Sequence, residues 1–107
     1  MARYLFIATY AAEGVKGVRA KGGSARRMAV EKAVADLGGR LETFDFAFGG
    51  DDVYTIAELP DNTTAAAVAL TVNSDGRTRV KTVVLLTPEE VDAAAQQTVG
   101  YAGPGSD

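Results

Sequence analysis

Along the chain the spacing of apolar positions changes several times, and each change marks an element. RYLFIATY (Arg3 to Tyr10) is rich in aromatic and branched residues at strand length. From Ser24 to Leu37 the period lengthens, and Ala29, Val30, Ala33, Val34 and Leu37 form one stripe at helical spacing, with Ser24 as the expected cap and Gly38–Gly39 as the stop. Between these two segments, EGVKGVRAKGG carries four glycines and four charges and reads as a loop or a short, broken helical turn. Period two returns in RLETFDFAF (Arg40 to Phe48), which places Phe44, Phe46 and Phe48 on one face, and again in DVYTIAEL (Asp52 to Leu59). So little chain separates these two strands that a hairpin is expected. Gly49 and Gly50 would then supply backbone angles that residues with a Cβ avoid.

Pro60 closes the third strand, and DNTTAAAVALTVN follows as a helix for which Asp61, Asn62, Thr63 and Thr64 are all plausible caps. After an SDG turn, RTRVKTVVLL (Arg77 to Leu86) reads as the fourth strand. TPEEVDAAAQQ opens a last helix with Thr87 as cap, Pro88 at the first helical position and Glu90 completing a capping box. The order β-α-β-β-α-β plus a C-terminal helix predicts an α+β, ferredoxin-like antiparallel sheet over residues 1–98, followed by a glycine-rich tail over 99–107. Two helices cover one face of such a sheet and leave the other in need of cover. That second face offers Tyr4, Phe6 and Tyr10 in one register, or Leu5, Ile7 and Thr9 in the other. A second subunit packing sheet to sheet would bury it, so a homodimer or higher oligomer is expected.

Composition narrows the chemistry. At 107 residues and a net charge of −3, the chain has the size of one domain and no basic stripe, which argues against nucleic acid. It contains no cysteine and no histidine. Disulfides, thiolate nucleophiles and the usual neutral-pH base are therefore excluded, and the commonest metal and haem ligands are missing. No cofactor is expected. No apolar run approaches the roughly 18–20 residues that span a bilayer. MARYLFIATY lacks a signal-cleavage pattern, so the expected location is cytoplasmic, with no membrane partner.

Several residues remain as candidates for a site. Asp51 and Asp52 are oxygen ligands of the kind a hard cation prefers, but two adjacent carboxylates at a turn are usually solvated, and no metal is expected there. Asp52, opening a strand, suits a backbone cap or a cavity rim. GVKGVRAKGG, with Lys16 in it, lacks phosphate-loop spacing and reads at most as a flap over a pocket. In KGGSARR, Lys21, Arg26 and Arg27 lie near a helix start, where Arg27 with Ser24 suits a carboxylate or phosphate. The plainer reading leaves both arginines on a solvated face. Tyr10, Tyr54 and Lys81, with Asp45 or Asp52, are candidates to line one cavity and to move a proton without histidine. Alternatively, the tyrosines fill a dimer interface.

With the elements placed, the sequence resembles the GYD-domain proteins. The resemblance is carried by YLFIATYAAEGVKGV, GGSARR, LGGRLETF, FAFGGDDVYTIAELPDN, AAAVAL and VKTVVLLTPEEVDAAA, which together span nearly the whole chain. It implies a fold similar to the dimeric α/β barrels, in which two ferredoxin-like sheets enclose a cavity. Such barrels include cofactor-free monooxygenases, isomerases and haem enzymes. The family has no established chemistry to carry over. Its Gly-Tyr-Asp motif is replaced here by GGDD, with Gly50 and Asp52 standing roughly at the glycine and aspartate positions. Three functions follow, in this order: a homo-oligomeric binder of a small organic or anionic molecule (sensor, carrier or accessory protein); a cofactor-independent monooxygenase or isomerase; and a structural protein without a pocket.

Overall fold

Side-chain alternation along the first strand sorts the molecule into layers. In a computed structural model, which describes residues 1–106, β1 (Ala2–Tyr10) buries Tyr4, Phe6 and Ala8 and leaves Leu5, Ile7 and Thr9 half exposed on the opposite face. The chain continues through α1 (Ala12–Lys21), α2 (Gly23–Asp36), β2 (Arg40–Phe46), β3 (Val53–Leu59), α3 (Asn62–Asp75), β4 (Thr78–Leu85) and α4 (Pro88–Ala95). The four strands form one antiparallel sheet in the order β2-β3-β1-β4. β3 thus lies between β2 and β1, and β1 between β3 and β4, which is the ferredoxin-like split arrangement expected from the sequence.

The core lies between the sheet and α2 and α3. Val53, Thr55, Ala57 and Leu59 of β3 join Tyr4 and Phe6, with Val34 from α2 and Ala65 from α3 closing the layer. Tyr4 and Leu59 are both 0% exposed. The Tyr4 hydroxyl is not left without a partner, because it donates to Asn62 Oδ1 at 2.6 Å, at the start of α3. That helix is capped by Asp61, whose carboxylate accepts from the Thr64 backbone N–H at 2.8 Å.

Five expectations are corrected. EGVKGVRAKGG is not a loop: most of it is α1, an unbroken ten-residue helix. α1 ends at Gly22, whose φ of 90° suits glycine, and α2 starts at once with Gly23. Ser24 therefore sits inside the first turn of α2, and no side chain caps that helix. The stripe on α2 is narrower than its spacing suggested, since Val30 and Val34 pack on the core while Ala29, Ala33 and Leu37 are exposed. β2 stops at Phe46, so Phe48 never joins the strand face and is 98% exposed. The β2–β3 connection runs from Ala47 to Asp52, closed by the Ala47 N–H donating to the Asp52 carbonyl at 2.8 Å. Neither Gly49 nor Gly50 has a positive φ, and a Cβ at either would meet open space, so neither backbone angle nor packing accounts for them.

Thr87 caps α4 through the reciprocal capping box with Glu90, and Pro88 stands in its first turn. The helix buries none of its residues. The molecule measures 58 Å along its longest axis, and the radius of gyration is 17.1 Å. A compact chain of this size would have a radius of about 13 Å. Among the described residues no helix is long and apolar enough to cross a membrane.

Candidate functional site

Strand register determines which side chains share the sheet face turned away from the helices. Ile7 pairs with Tyr54 of β3 and Lys81 of β4, and Tyr54 pairs with Asp45 of β2. Directly opposite residues in antiparallel strands point to the same face. Lys81, Ile7, Tyr54 and Asp45 therefore form one row across the whole sheet. The next row toward the strand middles is apolar, with Leu5, Val83 and Ile56. Beyond it lies a charged band, where Arg3 Nε meets Glu42 at 2.7 Å and Arg40 meets Glu58 at 3.0 Å.

At the opposite end the face is polar and organised by hydrogen bonds. Thr9 donates through Oγ1 to Asp51 Oδ1 at 2.7 Å, and Lys81 Nζ lies 3.5 Å from Asp51 Oδ2. These contacts hold the Asp51 carboxyl below the usual carboxylate range, the Thr9 hydrogen bond being the larger cause and the Lys81 charge adding to it. Asp52 has a different task. Its carboxylate accepts the Tyr10 backbone N–H at 2.8 Å, while its own N–H donates to the Ala8 carbonyl at 2.8 Å, so it ties the β2–β3 connection to the end of β1. The two carboxylates of GGDD thus diverge: one faces the sheet surface and the other secures backbone.

The proposed constellation of Tyr10, Tyr54, Lys81 and Asp45 is only partly assembled. Tyr54, Lys81 and Asp45 share the open face, whereas Tyr10 pairs with Thr78 and belongs to the helix side. Burial raises the Tyr10 hydroxyl above its usual range, and the nearby Arg26 charge opposes that shift. Tyr10 and Tyr54 do not share one surface, because alternation along the strands puts Tyr10 on the helix side of the sheet and Tyr54 on the open face. Arg27 is exposed, 3.7 Å from Glu31 on its own helix, and Ser24 is exposed in the preceding turn. Lys16 extends from α1 into solvent 3.5 Å from Glu13. Among the described residues, no group of three or more His, Cys, Asp or Glu is placed to hold a metal ion.

Sequence reasoning passed over Thr9 and misjudged Arg26. Thr9 carried no local signal, because its partner Asp51 is 42 residues away. Arg26 did carry one. It precedes Val30 and Val34 by four and eight residues, so it lies on the inward stripe of α2 rather than on the solvated face.

The layers and the open face define a class: a small α+β protein with a helix-covered, ferredoxin-like sheet whose other face is bare. The chain belongs to the GYD-domain family, whose profile matches residues 4–95. No curated protein and no solved structure matches it significantly.

Proposed function

We propose that the protein is a homodimeric small-molecule-binding module that joins two copies through the open sheet face and holds a small organic ligand at the polar end between them. The observation that carries this reading is the row Lys81–Ile7–Tyr54–Asp45, which is self-complementary. A two-fold axis lying between the sheets and parallel to the strands brings β4 of one copy over β2 of the other. Lys81 then lies over the second copy's acidic edge at Asp45, and Ile7 lies over an aromatic ring. An isologous interface of this kind requires each patch to match itself. The adjacent row of Leu5, Val83 and Ile56 supplies the apolar centre that stable interfaces bury. Thr9, Asp51 and Lys81, already fixed by one another, would form the polar wall of the enclosed space.

Ile7→Asp tests the interface, since it places a charge at the centre of the row without touching the core. Light scattering should report a dimer for the wild type and a monomer for the variant, with the same circular dichroism spectrum. A wild type that is monomeric at every concentration would end the proposal. Native mass spectrometry of freshly purified protein tests the ligand: an added mass retained by the dimer, and lost on Tyr54→Ala, is the expected result.

A further inference from the structure

A second site lies on the other side of the sheet and is complete within one chain. A cavity of about 610 Å³ opens between α1, the start of α2, the end of β1 and the turn before β4. That volume falls within the range of small-molecule sites, about 300–1,000 Å³. Tyr10, Val18, Ala25 and Ala29 supply its apolar and aromatic surface. Its charges are predominantly basic: Lys16, Lys21, Arg26 and Arg77 against Glu13 and Asp75. The two carboxylates are already engaged, Glu13 with Lys16 at 3.5 Å and Asp75 with Arg77 at 3.7 Å. Lys21 and Arg26 have no carboxylate partner among the described residues. Arg26 is half-buried and lines the cavity together with Tyr10, whose hydroxyl feels its charge.

The glycines of α1 give an independent indication. Each glycine inside a helix costs roughly 0.5–1 kcal/mol relative to alanine, and α1 carries two. Gly14 has a packing reason, because a Cβ there would run into the Arg77 carbonyl and the Tyr10 ring. Gly17 has none: a Cβ there would meet nothing within 4 Å. Gly17 lines the cavity, and a side chain at that position would project into open space where a ligand could lie. The missing side chain is explained if that space must stay clear.

We infer that this cavity binds a small organic anion, with its carboxylate or phosphate head on Arg26 and Lys21 and its apolar body on Tyr10 and Val18. A guanidinium matches either head with two parallel hydrogen bonds, which suits Arg26 to the role better than a lysine. The site does not depend on the dimer, so failure of one reading leaves the other standing.

The test is a titration of the full chain, followed by amide NMR, with benzoate and separately with phenyl phosphate. Saturable shifts should cluster at Val18, Gly22 and Arg26, and the tighter of the two probes identifies the head group. Arg26→Gln should weaken binding about tenfold or more, and Gly17→Val should block it. Arg27→Gln removes the same charge one residue away, on the solvated side, and should leave affinity unchanged. Shifts that do not saturate with either probe would overturn the inference. So would equal weakening by Arg26→Gln and Arg27→Gln, which would reduce the effect to net charge. Because Arg26→Gln leaves α1 untouched, the test holds even if Gly17→Val unfolds that helix.

Discussion

The two faces of the sheet are made from the same four strands, residue by alternate residue, yet they do different work. On the covered face Tyr4, Phe6, Val53, Ala57 and Leu59 are all buried. On the open face Leu5, Ile7 and Ile56 are only half covered, and Tyr54 and Val83 are 40% and 41% exposed. The covered face is mainly apolar, with Thr55 and Thr78 as its buried polar residues, while the open face is graded from an ion-paired band through an apolar middle to a polar end. A slip of one residue would exchange the faces. Register is therefore fixed by what the core demands, and the open face displays whatever that register leaves outward. Residues that the fold does not need inside are free to serve association and binding.

The widest gap between the faces should appear in stability. Leu59→Ala removes a side chain that is 0% exposed, and is expected to cost about 2–5 kcal/mol in urea unfolding. That loss should be the same at every protein concentration. Val83→Ala on the open face should change the stability of dilute protein by no more than about 0.5 kcal/mol. Its cost should grow with concentration, because dissociation couples to unfolding by mass action. Equal and concentration-independent losses would erase the distinction between the faces.

Most of the fold was legible in the sequence because its signals were local or periodic. The Thr87–Glu90 capping box and the alternation of β3 each depend on residues within a few positions, and Asp61 is one of the four caps the sequence offered for α3. α1 was not legible, for a physical reason. Glycine was read as a helix breaker, whereas Gly14 is a packing device that lets the helix approach the Arg77 carbonyl, 63 residues further along the chain. The identity of the core face was left open between Tyr4 and Leu5, since both alternations are apolar. The Tyr4–Asn62 hydrogen bond and the packing of Val34 against that side are long-range facts. At the site, Tyr54, Lys81 and Asp45 were correctly named as strand residues. Their alignment in one row, and the departure of Tyr10 from it, follow from the β1–β4 and β2–β3 register, which one sequence does not encode locally.

A smaller effect separates the faces by pH on the alkaline side. Tyr4 is held neutral in the core, where burial raises its hydroxyl above the usual range and Asp61 adds to the shift. In the unfolded chain a tyrosine ionises near pH 10. The stability that Tyr4 contributes is thus present below that pH and lost as pH rises through its higher folded value. Tyr4→Phe is expected to cost about 1 kcal/mol at neutral pH through the lost hydrogen bond to Asn62. It should also flatten the decline in stability above pH 10. An unchanged alkaline slope, with Tyr10 still contributing its own, would mean that the covered face does not carry this titration.

The smallest effect belongs to the polar end of the open face and appears on the acid side. Asp51 titrates below the usual carboxylate range, mainly through the Thr9 hydroxyl and secondarily through Lys81. A lowered folded value means that this contact stabilises the native state above the unfolded carboxylate value near 4 and fades as pH falls through the folded one. Thr9→Val keeps the β-branched shape of the strand residue and deletes only the donor. Carboxyl NMR should then place Asp51 closer to its ordinary value, and by a larger step than Lys81→Met produces. Unfolding curves of Thr9→Val and wild type should differ slightly at neutral pH and converge in acid. If Asp51 does not move, the polar end is held by the backbone turn alone. The open face would then lack the fixed polar wall that distinguishes a binding surface from an uncovered one.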